Sequence, residues 1–397
     1  MYIRMGRNAL FRTALVVSAC VAAFLPSVAG PAAAVPAPRT AAAAPPPWAG
    51  TAAELDRVIQ RAAADAGVPG VIVGVWKPGQ PRYVRAFGVA DKRTGAPMRT
   101  DLNMRIGSET KTFTVTALLQ LVDRGKVGLD DPISRYVRGV PDGRHITLRQ
   151  LAEMRSGLFP YSKDEEFQHL LTTQPHRQWA PRELLRLAFE HPNQFPPGTR
   201  FDYSNTNTVL LGLVVEKVTH RPLRGVIRDL ITGPSGLRHT FLPKAAEFPR
   251  PHAHGYTDFT PDGTVADATH FNPSWGWAAG AMISDLDDMR SWAVNVATGR
   301  LLSRHTQAQR LDAQPTGAPG DFYGLGIDIN HGWIGHAGSL PGYQSLTVYL
   351  PAQKATMVIL LNTDIASNGE NPSTLLGRAI TQVISPGNVY GDASDQD

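Results

Sequence analysis

Cysteine is nearly missing from this sequence of 397 residues, which holds one, Cys20. One thiol forms no internal disulfide and builds no cysteine metal site. No His-Glu-x-x-His occurs, and the only close histidine pair, His252-Ala253-His254, reads as a loop, so neither a metal nor a cofactor is expected. Gly-x-Ser-x-Gly is absent too, which excludes the nucleophile elbow of an α/β-hydrolase. Excess charge is lacking as well. Of 39 basic residues against 34 acidic ones, Arg4, Arg7 and Arg12 precede an N-terminal apolar run; without those three, 36 face 34. With no basic block and no aromatic-basic interleaving, nucleic acid is not an expected partner. Beyond that first run no apolar stretch approaches the ~18 residues that span a bilayer.

What the N-terminus does hold is an address. Three arginines, the apolar run Thr13 to Val28 and the small-x-small site Ser27-Val28-Ala29 make residues 1–29 an expected secretory signal peptide. The mature protein is then extracellular and free of cysteine. A lipid anchor through Cys20 is the lesser alternative, since apolar residues continue past it. Residues 30–50 are an Ala/Pro-rich linker, 51–386 the folded domain and 387–397 a polar tail. Within the domain, a helix from Thr51 to Ala66 precedes strands at Gly70–Trp76 and Tyr83–Gly88. Strands return at Tyr343–Leu350 and Thr356–Asn362, before a last helix around Thr374–Ile384. Helical patterns fill the middle. This order implies an α+β fold: an antiparallel β-sheet completed by both termini and flanked by the terminal helices, with an inserted, mostly helical lobe. The cleft between the lobes is the natural site.

Three short constellations carry chemistry. Ser108 and Lys111 lie i, i+3 at the head of a helix made apolar by Ala117, Leu118, Leu119, Leu121 and Val122, so hydroxyl and amine can meet. Burial can keep such a lysine neutral and able to take the serine proton. Further on, Tyr203-Ser204-Asn205 precedes the apolar helix beginning at Val209. A phenol there can relay a proton and a carboxamide can hold a substrate amide, though an aromatic anchor and a helix cap suffice for the pattern. Last, His336-Ala337-Gly338-Ser339 leads into the strand from Tyr343. Gly338 leaves room for substrate backbone, and the Ser339 N–H can join that of Ser108 as an oxyanion hole. His336 can place a donor near the tyrosine, or it can be structural.

Each of the three patterns occurs once, and in this order they resemble the serine β-lactamase/DD-peptidase superfamily. The likeness is to its class-C-like branch, which holds the streptomycete D-alanyl-D-alanine carboxypeptidases. It also rests on Gln120 to Lys126, Arg155-Ser156-Gly157-Leu158, Tyr323-Gly324-Leu325-Gly326, and Trp275 with Ala279 to Ser284. The resemblance implies a monomer acting on a D-alanyl peptide, an ester or a β-lactam through an acyl-enzyme. Ser108 is the implied nucleophile, Lys111 and Tyr203 shuttle its proton, and Asn205 holds the acyl-side amide. Ser108 and Ser339 bind the oxyanion, Gly338 and Ser339 line the substrate strand, and Trp275 walls the cleft. His336 stands where class C β-lactamases have the lysine of Lys-Thr-Gly, a motif missing here, which favours peptidase or esterase over β-lactamase. A non-catalytic penicillin-binding module would be expected to lack the serine, lysine or tyrosine. Where the carboxypeptidases carry arginine after Tyr-Gly-x-Gly, Ile327-Asp328 follows Gly326. An aspartate at the leaving-group end would repel a terminal carboxylate, so an esterase or amidase is the runner-up to a carboxypeptidase.

Overall fold

A computed structural model describes residues 52–391. The expected signal peptide, the linker, Cys20, Thr51 and residues 392–397 lie outside them. Nine strands form one sheet: β1 (Gly70–Trp76), β2 (Tyr83–Asp91), β3 (Ala96–Pro97), β4 (Gln314–Pro315), β5 (Asp321–Tyr323), β6 (Asp328–Asn330), β7 (Trp333–Leu340), β8 (Tyr343–Leu350) and β9 (Ala355–Leu361). Their order is β3-β2-β1-β9-β8-β7-β6-β5-β4, every pair antiparallel. The termini do complete one sheet, with β1 against β9 from Val71↔Leu361 to Trp76↔Thr356. β1, β8 and β9 are buried along their whole length, which is why they read as apolar runs instead of alternating strands.

Side chains paired across antiparallel strands share a face. The row Val75, Met357, Val348, Gly335 looks toward α1 (Ala52–Asp65), because Tyr83, opposite Val75, donates to Asp56 at 2.8 Å. The next row, Gly74, Val358, Thr347, His336, looks the other way, toward α2 (Thr110–Asp123) and the helical lobe. That lobe includes α3 (Pro181–Phe189) and α4 (Asn205–Thr219); α5 (Leu286–Thr298) packs on the same sheet face and α6 (Arg304–Leu311) on α2. The last helix, α7 (Pro372–Ile384), packs with α1.

Every residue of α2 from Thr110 to Leu121 is buried, as expected of a helix apolar nearly all round. Its threonines are accommodated because each hydroxyl donates to a backbone carbonyl: Thr110 to Gly107, Thr112 to Glu109, Thr114 to Ala278, Thr116 to Thr112. Among the described residues no helix is long and apolar enough to cross a membrane. The chain does not leave the fold at residue 386. Tyr390 is buried, Trp333 donates to the Asn388 carbonyl at 2.7 Å and Gly391 N–H to Asn330 Oδ1 at 2.7 Å, so residues 387–391, expected in the polar tail, are packed. The buried aromatic there outweighs the polar composition around it.

Candidate active site

Ser108 sits on a single 3₁₀ turn, Gly107–Glu109, that runs directly into α2. The turn lies against β7 with almost no clearance. Gly107 has φ +49, and a Cβ there would stand 2.5 Å from Ser339 N; a Cβ at Gly338 would stand 2.0 Å from the Ile106 carbonyl oxygen. Only glycine fits either position. Ser345 Oγ donates to the same Ile106 carbonyl at 3.0 Å, tying turn to sheet. On its other side β7 is covered by β6 only at Trp333–Gly335, so the strand continues past Ser108 as an edge.

One helical turn beyond Ser108, Lys111 is fully buried. Its Nζ lies 2.9 Å from Ser108 Oγ, 2.8 Å from Asn205 Oδ1 and 2.8 Å from the Ala279 carbonyl oxygen. Burial alone pushes its pKa well below that of a free lysine. A neutral amine has two protons and a lone pair. The Ala279 and Asn205 oxygens take the two protons, and the lone pair is left for the serine hydroxyl. Asn205, first residue of α4, thereby keeps its Nδ2 protons for a substrate carbonyl.

Tyr203 closes the site from the segment before α4. Lys111 Nζ stands over its ring at 4.7 Å, at the face and not at the oxygen. The phenol lies beside Ser108, whose hydrogen bonding lowers its pKa, but burial dominates and raises it above the usual tyrosine value. Its buried hydroxyl has no well-formed partner in this structure, a donor left free for an incoming group. His336 projects from β7 beside both, its ring 6.1 Å from that of Tyr203. Burial first, and then the proximity of Lys111, push its pKa down to about 3, so the imidazole is neutral. The lysine of a Lys-Thr-Gly motif therefore has no cationic counterpart in this side chain.

Ser108, Lys111, Tyr203, Asn205 and His336 are thus brought together, with Gly338 and Ser339 against the turn. Trp275 is not joined to them. It is buried in the helical lobe with its ring 5.9 Å from Phe167 and its carbonyl accepting from Tyr161 at 2.7 Å, a core aromatic where a cleft wall was expected. Asp328 also departs from expectation. It pairs with Gly335 on one side and Tyr323 on the other, and its carboxyl is hydrogen-bonded to Asp321. Burial and Asp321 hold its pKa well above that of a free carboxyl. Repulsion of a substrate carboxylate does not follow from it. Sequence reasoning missed the Ala279 carbonyl, Glu109 and Tyr323; the last stood in the quoted Tyr-Gly-x-Gly, but nothing in its spacing pointed to His336.

An α+β fold with an antiparallel sheet, a helical lobe and a serine–tyrosine pair around a buried lysine between them defines the class to which this chain conforms. The chain belongs to the Beta-lactamase family, whose model matches residues 55–376. A D-aminopeptidase of Cereibacter sphaeroides is 29% identical over 325 residues, covering 79% of this chain and 60% of its own length. The chain therefore spans about 60% of that curated relative. The esterase EstB of Burkholderia gladioli is 33% identical over 201 residues, 48% of this chain and 51% of its own. Among solved structures, a D-stereospecific amidohydrolase from Streptomyces sp. is similar with a TM-score of 0.74 at 32% identity, covering 85% of this chain and 99% of that chain.

Proposed function

We propose that the protein is a serine hydrolase that forms an acyl-enzyme on Ser108 and releases an amine from amides or short peptides of D-amino acids. The observation that carries the reading is the buried Lys111 amine 2.9 Å from Ser108 Oγ with acceptors on its other contacts. In this reading Ser108 Oγ attacks the carbonyl carbon as its proton passes to Lys111. The oxyanion rests on the N–H groups of Ser108 and Ser339, and Asn205 Nδ2 holds the acyl-side carbonyl. As the C–N bond breaks, the Tyr203 phenol protonates the leaving nitrogen and is restored from Lys111. Water then attacks the ester and returns Ser108.

Support for the substrate class is the similarity to a D-aminopeptidase and a D-stereospecific amidohydrolase. A D-alanyl-D-alanine carboxypeptidase is less well supported, because Ile327 stands where an arginine was expected and His336 is neutral. Ester cleavage by the same acyl-enzyme is the second reading, favoured by the likeness to EstB. Export guided by residues 1–29 is part of the proposal. The test is a turnover panel of a D-amino acid amide, an ester and a D-Ala-D-Ala peptide, with Ser108 labelling by a fluorophosphonate. The expected result is fastest cleavage of the D-amide, lost in Ser108→Ala. Labelling of another serine, or unchanged turnover by Ser108→Ala, overturns the mechanism.

A further inference from the structure

Tyr323, at the end of β5, is buried, with its ring edge-on to Tyr203 at a centroid distance of 6.2 Å and to His336 at 5.7 Å. Its hydroxyl lies 3.0 Å from His336 Nε2, and His336 Nδ1 lies 2.5 Å from the Ala337 carbonyl oxygen. A carbonyl oxygen only accepts, so Nδ1 carries the ring proton. The neutral imidazole then has a lone pair at Nε2, and the phenol must donate to it.

Resting on the hydrolase reading above, we infer that Tyr323 is a positioning residue for the third constellation. Its hydroxyl donates to Nε2 and, with the Ala337 carbonyl taking the Nδ1 proton, locks His336 as a neutral acceptor behind Tyr203. Both ring nitrogens are then occupied, and His336 has neither charge nor free proton to offer the Tyr203 oxygen. Lys111, over the ring face, does not reach that oxygen as a partner either. A Tyr203 phenolate has little support, so the phenol keeps its proton for the leaving group while Lys111 takes that of Ser108. The charged and titratable groups facing His336 are Lys111 from α2, Tyr203 ahead of α4 and Tyr323 from β5; Asp328, Arg310 and Asp321 act on Tyr323, and Asp328 acts on Tyr203 as well, raising its pKa further. Burial keeps the Tyr323 phenol protonated, first among the causes that raise its pKa, so it remains a donor.

Full-length protein labelled with ¹⁵N-histidine reads the tautomer directly through long-range ¹H–¹⁵N correlations, and His336→Gln identifies the His336 signals by removing them. The wild type is expected to show a proton on Nδ1 only, without titration from about pH 5 to 9. In Tyr323→Phe the Nε2 resonance should shift and His336 protonate at higher pH. Fluorophosphonate acylation of Ser108 should slow by about tenfold, its acid limb moving up in pH. A Tyr323 that only fills space would lower thermal stability and leave tautomer and pH profile unchanged; that outcome overturns the inference, as does a wild-type His336 protonated on Nε2. Should Tyr323→Phe fail to fold, the wild-type spectrum decides alone. If the wild type is never labelled at Ser108, the hydrolase reading falls while the histidine spectrum still answers for Tyr323.

Discussion

Two ionisable side chains flank the candidate nucleophile, Glu109 on the sheet side of its turn and Lys111 on the helical-lobe side. Both are buried, at 1% and 0% exposure, and burial drives both toward neutrality. The lysine pKa falls well below its ordinary value; the glutamate rises to about 8. What separates them is company. Lys111 has an acceptor on each side and one hydroxyl to activate, whereas Glu109 faces Ser345 and Thr347 with its Oε1 unpartnered. In the proposed mechanism desolvation serves proton transfer on one side and is a partly compensated cost on the other. Burial supplies the pKa shift, and the arrangement of partners decides whether the shift is useful.

Removing the useful side should have the largest effect. Lys111→Ala and Tyr203→Phe are each expected to slow acylation of Ser108 by at least ~100-fold. The double variant should lose little more than either single one, because the two groups act as one unit in the proposed proton relay. Fluorophosphonate labelling rates with folded protein, checked by circular dichroism, give the numbers. Near-wild-type labelling in Tyr203→Phe would reduce Tyr203 to an aromatic anchor. By contrast, Glu109→Gln should leave the labelling rate within about twofold, since a neutral carboxyl and an amide are alike in size and charge.

Between the two sides lies the turn itself, and Gly107→Ala tests it. The new Cβ meets Ser339 N at 2.5 Å while the backbone stays at φ +49. Left-handed backbone costs alanine about 1–2 kcal/mol and the clash adds to it, so a stability loss of roughly 2–4 kcal/mol is expected. Acylation should fall roughly tenfold or more, as the turn and β7 are pushed apart at the proposed oxyanion hole. Urea unfolding and labelling rates measure the two. Unchanged labelling in a folded variant would mean that the Ser108–Ser339 contact has no part in the chemistry.

The main side chains of the candidate site were readable in the sequence and several of their surroundings were not, for a physical reason. Ser108 and Lys111 are three residues apart, and helical geometry alone brings them together. Gly338 announces itself by lacking a side chain. The terminal strands showed as buried apolar runs, so the closing of the sheet by β1 and β9 was visible too. Asp328 and Trp275 were misplaced because their surroundings are set by partners far along the chain. Burial and a hydrogen bond from Asp321 on the neighbouring strand push the Asp328 carboxyl toward its neutral form, and the Phe167 and Tyr161 contacts draw Trp275 into the core. Tyr323 escaped notice for the same reason: 13 residues separate it from His336, with β6 between them. Short strands of two or three residues, β3 to β6, carry too little pattern to be read at all.

The effects that set the carboxyl and amine neighbours most directly against each other lie in the pH dependence of stability. Lys111 has a folded pKa well below its ordinary 10.5. Between the two values the unfolded chain binds a proton that the folded one does not, so this group makes stability rise with pH, by up to about 1.4 kcal/mol per unit. Glu109 has a folded pKa of about 8 against an ordinary 4.5. Between those values the folded protein binds the extra proton, and its contribution, complete below 4.5, is lost as pH rises through 8. The two slopes oppose each other and partly cancel in the wild type. Lys111→Met should therefore gain most over the wild type at low pH, with the gain shrinking as pH approaches 10.5. Glu109→Gln should gain progressively from about pH 5 to 8 and then level off. Urea midpoints across about pH 5 to 10 separate the cases. A Glu109→Gln gain that stays flat over that range would mean that Glu109 is already ionised in the folded protein, with a cation or water satisfying its Oε1.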